Sequence, residues 1–191
     1  MGSGFMLPSG GTGMMPKTGG TFTGPVYFAS GTDYYVDGNG VACFAKVYNA
    51  AFNDYAEWFP RGEETEPGDL IALKTDGDAE YYGKASEKDN LVVGVHSDEY
   101  AHIIGGDYYK DSEEYFEKNM QNYIPVGLAG RCTVKVKEDV QVGDYLVPSD
   151  MPGVARAFVE GKDKERQIVG MVVKIKKNRC EGYKLAKVYL K

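Results

Sequence analysis

Two acidic side chains, Asp54 and Glu57, stand three residues apart within Phe52-Asn-Asp-Tyr-Ala-Glu-Trp-Phe59. Paired carboxyls can divide general acid and general base work between them when both reach one reacting bond. The same stretch supports a second reading, in which Asp54 and Glu57 hydrogen-bond across a subunit interface while Tyr55, Trp58 and Phe59 anchor the domain. His96 and His102 flank Asp98 and Glu99. A spacing of six fits neither a helical ligand pair nor a convergent zinc set, so they read as polar surface histidines and no metal is expected. Asp37-Gly-Asn39 and Asp76-Gly-Asp78 lack the remaining ligands of a calcium loop and read as turns. No phosphate-cradling Gly loop, nucleophile elbow or His-based dyad is present, which argues against a metabolic enzyme and against a cofactor. The tyrosines form another set: Tyr34, Tyr35, Tyr81, Tyr82, Tyr100, Tyr108, Tyr109 and Tyr115. Exposed Tyr rings are platforms for sugars and protein partners, although Tyr-Tyr pairs also arise where a strand turns one ring inward and one outward.

The elements that must carry these residues are mostly strands. The 191 residues include 25 Gly and 15 Tyr, a composition of tight turns and half-buried pleated surfaces. The net charge of −6 leaves no basic footprint for nucleic acid. The one basic run, Lys174-Ile-Lys-Lys-Asn-Arg179, alternates like the outer face of a strand. Cys43, Cys132 and Cys180 are too few and too scattered for a disulfide framework, and read as buried, reduced residues of a protein folded in a bacterial cytoplasm. No apolar run approaches the roughly 20 residues of a membrane span. Met1-Gly2-Ser3-Gly4 has no signal-peptide character and reads as a tag remnant.

Residues 1–17 read as a flexible Gly-rich lead, and 18–50 as short β-prone runs (Val26–Ala29, Asp33–Asp37, Val41–Tyr48) with a hairpin signal at Asn39-Gly40. Strands so short and few cannot bury both faces in one chain, which points to wrapping with copies of themselves. Residues 51–191 read as a β-rich head with an internal duplication. Glu66-Pro-Gly-Asp-Leu-Ile-Ala-Leu73 and Gln141-Val-Gly-Asp-Tyr-Leu-Val147 carry Gly-Asp turns 75 residues apart, and the later Gly94 and Gly170 lie 76 apart. Between the units one helix is expected, capped by Asp111 or Ser112, with Phe116, Met120 and Tyr123 on one face and Pro125 closing it. The run after it, Ile124 to Lys137, passes from continuous apolar character to alternation, as a strand leaving the core does.

Two stretches resemble known proteins. Gly20-Thr-Phe-Thr-Gly-Pro-Val-Tyr-Phe-Ala-Ser-Gly-Thr-Asp-Tyr-Tyr-Val-Asp-Gly-Asn-Gly40 is similar to the short repeats of phage tail-fibre shafts. Asp54-Tyr-Ala-Glu-Trp-Phe59 with Pro67-Gly-Asp69, and then Val126-Gly-Leu-Ala-Gly-Arg131, Val142-Gly-Asp144 and Pro152-Gly-Val-Ala155, resemble the intramolecular-chaperone autoprotease domain that ends phage neck-appendage and tail-fibre proteins. The resemblance implies a homotrimer with a short intertwined β shaft, in which the head registers and terminates the fibre. It implies a virion protein made without a signal peptide and released by lysis, with no membrane insertion, and the Gly-rich start is expected of a piece of a longer fibre. It also implies self-cleavage in some members just ahead of Asp-Tyr-Ala-Glu. Here Asp54 and Glu57 would be the acid and base, with Asn49 or Asn53 as attacking amide, since residues 49–53 offer no Ser, Thr or Cys. A fibre tip recognises a cell surface, so Tyr100, Tyr108, Tyr109 and Tyr115, in the insertion from Asp98 to Tyr123, are the candidate carbohydrate receptor-binding residues.

Overall fold

The computed structural model describes residues 26–27, 35–36, 42–43 and 54–191, the last range without 77–78, 90, 108–111 and 181. The chain divides into two compact units, Met1–Tyr48 and Asn49–Lys191. In the first, β1 (Val26–Tyr27), β2 (Tyr35–Val36) and β3 (Ala42–Cys43) form an antiparallel sheet in that order, with Val26 opposite Val36 and Tyr35 opposite Cys43. Each strand lies within one expected β-prone run. The Asn39-Gly40 turn lies outside the described residues.

The second unit is mainly β. Its strands are β4 (Asp54–Pro60), β5 (Leu70–Asp76), β6 (Ala79–Lys84), β7 (Val92–His96) and β8 (His102–Gly105). After the helix α1 (Ser112–Asn122) come β9 (Tyr123–Val136), β10 (Tyr145–Pro148), β11 (Ala155–Ala157), β12 (Gly170–Cys180) and β13 (Tyr183–Leu190). The ladder of pairings runs β6-β5-β7-β9 and then β13-β12-β10-β11, one half mirroring the other. A parallel contact of Ala155 with Val136 joins β11 back to β9, so β9, β13, β12, β10 and β11 make a closed circuit. Closure removes free edges that would otherwise invite pairing with other chains.

The duplication is geometric. Gly68 and Gly143 hold φ of +92° and +95°, and the following aspartates accept the amides of Glu66 and Gln141 at 2.8 and 2.7 Å. Gly68 N–H donates to His96 O and His96 N–H to Asp69 O, each at 2.8 Å; Gly143 and Val172 with Asp144 repeat the exchange, each bond at 2.9 Å. Ile71 lies opposite Gly94 as Leu146 lies opposite Gly170. Both returning glycines sit where a Cβ would strike a backbone carbonyl, that of Gly127 for Gly94 and that of Tyr189 for Gly170. The likeness stops at the outer side chains. Leu70 and Val95 are fully buried, whereas Tyr145 and Met171 at the matching places are 43% and 37% exposed.

The core explains the difference. One cluster, including Leu70, Val95, Val134, Leu146, Val172 and Val188, fills the interior. A second, of Ile71, Tyr82, Ile124 and Val126 with Phe59 against it, buries the other face of β5. Strand β9 joins both: Val126 and Gly127 pair with β4 and β7, Gly130 with β4 and β13, Val136 with β11 and β13. Its expected alternation breaks at Lys135, which is 6% exposed. Lys135 Nζ reaches Asp69 Oδ1 at 2.8 Å and Glu66 Oε2 at 2.9 Å. Burial alone would lower its pKa, but the bonds to Asp69 and Glu66 outweigh burial and raise it.

The helix departs from expectation in register. Tyr123 opens β9 instead of closing the helix, and Phe116 and Met120 are each 47% exposed. Among the described side chains of the helix the fully buried one is Asn119, whose Oδ1 accepts the Asp107 amide at 2.9 Å. Arg61 Nη2 donates to the carbonyls of Met120 and Tyr123 at the C-terminal end, at 3.1 and 2.7 Å. The helix is therefore docked by polar groups together with the edge contact of Phe116 on Trp58, while Phe116 and Met120 keep part of their surface outward.

Gly170→Ala should cost about 1–3 kcal/mol, because the backbone of β13 must move. Gly143→Ala, with open space around it but positive φ, should cost about 1 kcal/mol; urea midpoints of the two variants check the order. Lys135→Met should cost about 3–5 kcal/mol by leaving Asp69 charged and buried, and the double variant with Asp69→Asn should recover part of that loss in the same assay.

Candidate functional site

Strand alternation decides what Asp54 and Glu57 can do together. Asp54, Ala56 and Trp58 face inward and are buried; Tyr55, Glu57 and Phe59 lie on the opposite face. The two carboxyls therefore do not meet in one site. Asp54 is 2% exposed and neither carboxyl oxygen makes a hydrogen bond. It rests over the Cα of Gly127 beside the thiol of Cys132. Burial raises its pKa, against the opposing pull of the nearby Ser97 and Cys132 side chains. The same burial, with Asp54 as neighbour, pushes the free Cys132 thiol far up. Asp54 is thus a buried carboxyl with a raised pKa at the start of the head, adjoining in sequence residues 49–53, which lie outside the described residues. Glu57 is half-buried beside the backbone of Gly105.

The three aromatic anchors are also separated. Trp58 is 4% exposed, wedged edge-on between the rings of Tyr100 and Phe116 at 6.5 and 6.4 Å. Phe59 packs edge-on to Tyr82 at 4.7 Å. Only Tyr55, 65% exposed and tilted against His102 at 5.6 Å, is presented outward. Trp58 and Phe59 both pack within their own chain, Trp58 on one face of β4 against Tyr100 and Phe116, and Phe59 on the other against the cluster of Ile71 and Tyr82.

Tyr100 lines a cleft of about 620 Å³. Pro67, Met120 and Pro125 give it apolar walls, and Arg61, Glu64 and Asp98 its charges. Thr65, His96, Ser97 and Gln121 complete it. His96 is not a surface residue: it is 4% exposed and its Nδ1 is 2.9 Å from Thr65 Oγ1. Burial, helped by the charge of Arg61, lowers its pKa to about 4. A hydroxyl on an imidazole in a cleft has the outline of a nucleophile and base, but so weak a base is a poor proton acceptor near neutrality. The Thr65–His96 contact closes the cleft wall. Tyr108 and Tyr109 lie outside the described residues, and Tyr115 falls within α1. Among the described residues no three His, Cys, Asp or Glu side chains converge as metal ligands. No spacing in the sequence links 61–67, 96–100 and 120–125; pairing with β9 brings them together.

These features define a β-rich head with a duplicated barrel unit, a buried acid at its threshold and a cleft beneath its helix. No protein-family model matches the chain, nor does any curated protein. Two solved structures share the fold. The pre-mature bacteriophage phi29 gene product 12 matches 83% of this chain at 17% identity with a TM-score of 0.60; the match spans 24% of that protein's length. The C-terminal fragment of bacteriophage phi29 gene product 12 matches 72% of this chain and 100% of its own length, at 22% identity and a TM-score of 0.50.

The buried groups predict opposite pH effects. The unfolded chain protonates His96 near its ordinary 6.5, whereas the folded one resists until about 4. Stability is therefore full above that ordinary value and falls as pH drops between the two, by about 3 kcal/mol at ~1.4 kcal/mol per unit. Asp54, with its raised pKa, takes up a proton earlier when folded, so acidification through its interval favours folding. Urea midpoints from pH 8 to 4 should show a flattened acid loss in His96→Gln. They should show undiminished stability at pH 8 in Asp54→Asn.

Proposed function

We propose that this chain is the head of a phage tail appendage, a structural virion protein that brings three copies together and sets the register of the strands preceding it. The observation that carries this reading is the fold likeness, which extends over the full length of the C-terminal fragment of phi29 gene product 12. The first unit adds physical support. Three strands of two residues each bury too little to stand alone. A compact neighbour that trimerises raises their effective concentration and limits register slips. Tyr55, exposed on β4, is the candidate contact with another copy. Release by lysis and location in the virion follow from the same reading.

A second reading, surface recognition, is favoured by the Tyr100 cleft, whose walls a purely structural head does not need. Self-cleavage is favoured by Asp54 alone of the acidic pair, through its buried carboxyl, without a hydrogen-bond partner and with a raised pKa, adjoining residues 49–53 in sequence.

Native mass spectrometry of freshly folded protein separates these readings. Full-length chains near three times 21.0 kDa are the expected outcome. A trimer that has lost about the first fifty residues, and keeps them in Asp54→Asn but loses them in Glu57→Gln, would make Asp54 the acid of a cleavage step. A stable monomer would overturn the trimeric assembly.

A further inference from the structure

The mouth of the Tyr100 cleft has a definite chemical bias. The arginine that lines it is largely covered: Arg61 Nη2 holds the carbonyls of Met120 and Tyr123, Nε is buried without a hydrogen-bond partner, and the side chain is 13% exposed. Its remaining reach, through Nη1, is 3.8 Å to Glu64. Glu64 has a side chain 95% exposed, and Asp98 is exposed as well. Among the described residues the exposed charges at the opening are thus two carboxylates, which would repel a phosphate or carboxylate ligand, while the guanidinium of Arg61 is largely covered. His96 is engaged with Thr65 and supplies no positive charge in its place.

Tyr100 supplies the other half. Its ring is half-buried, and the edge contact with Trp58, itself braced by Phe116, holds it in place. A fixed aromatic face offers contact area at little entropic cost. Pro67 and Pro125 extend the apolar wall without amide donors, and about 620 Å³ lies within the range of small-molecule sites. A pyranose ring matches both halves. Its C–H face packs on Tyr, and its hydroxyls are donors for which carboxylates are acceptors.

We infer that this cleft is a subsite for a neutral pyranose, one face on Tyr100 and its hydroxyls donated to Glu64 and Asp98. The inference rests on the surface-recognition reading and narrows it to uncharged sugars.

Saturation-transfer NMR and calorimetry on the full chain test it, with methyl glucoside, methyl mannoside, methyl galactoside and N-acetylglucosamine as neutral probes. Glucuronate and glycerol 3-phosphate serve as anionic ones. The expected result is saturable binding of at least one neutral sugar with Kd on the order of 1 mM, weakened about tenfold or more by Tyr100→Ala and within about twofold in Tyr100→Phe. The double variant Glu64→Gln/Asp98→Asn should weaken it about tenfold, with an unchanged urea midpoint showing that the fold is intact. Binding of an anionic probe in preference would overturn the neutral-sugar assignment and leave surface recognition standing. Neutral binding undiminished in Tyr100→Ala would overturn the assignment to this cleft. Absence of saturable binding for all six probes would overturn both the subsite and the surface-recognition reading, while leaving the assembly reading untouched.

Discussion

The contact between Lys135 and Asp69 holds the parts of the head in one arrangement. Lys135 belongs to β9 and Asp69 to the turn that launches β5; the Lys135 amide also donates to Gly68 O at 2.9 Å. On the far side the loop before β11 closes over the same turn, with Gly153 against the Asp69 carboxylate and its carbonyl accepting the Leu70 amide at 2.8 Å. Two ions withdrawn from water add little net stability beside a well-packed apolar pair. Their effect is positional. A slide of β9 along its neighbours would strand both charges, so one register is selected among those the apolar side chains alone would tolerate.

The two repeats share a backbone plan but differ in what covers them, and the cleft lies on the covered side. Both units contain the same Gly-Asp turn and the same close-packed glycine. The first turn is clasped within the protein, whereas the second is open on its side-chain face, where a Cβ on Gly143 would meet nothing within 4 Å. Strand β4, with β8 paired to it, and the helix α1 lie on the side of the first repeat, where Phe59 of β4 joins the cluster that buries the second face of β5 and Met120 and Gln121 of α1 line the cleft. The second unit has no such cover among the described residues, and Tyr145, Met171 and Tyr189 remain outward.

Two buried groups, Asp54 on β4 and His96 on β7, are held against their solution preference. Asp54 is buried without a hydrogen bond and His96 is buried uncharged. They lie on consecutive parts of one wall, since Ser97 stands beside Asp54 and the Ala101 amide donates to Asp54 O at 2.9 Å. Burying unpaired polar groups lowers stability unless the surrounding fold over-determines them. The dense pairing of β9 on both edges supplies that constraint.

Much of this architecture was legible in the sequence, because it is written in local patterns. Gly-Asp spacings of 75 and glycine spacings of 76 marked the repeated turn and return strand, since positive φ and close backbone approach demand glycine wherever they occur. Alternation after Ile124 marked β9, and an 11-residue helix stands where the capping residues placed it. Even the separation of Asp54 from Glu57 follows from an odd spacing on a strand, once the segment is known to be one. Other features were decided only by tertiary structure. Asn119 is fully buried, while Phe116 is only partly covered, because a loop amide 12 residues away bonds the Asn119 side chain. His96 is buried because Thr65 covers it from 31 residues away. The cleft gathers three segments whose proximity is set by the pairing of β9, and Lys135 departs from alternation because Asp69 waits beneath it. Periodicity reports which face of an element is apolar; which partner covers that face depends on contacts between residues far apart in the chain, and no local pattern encodes them.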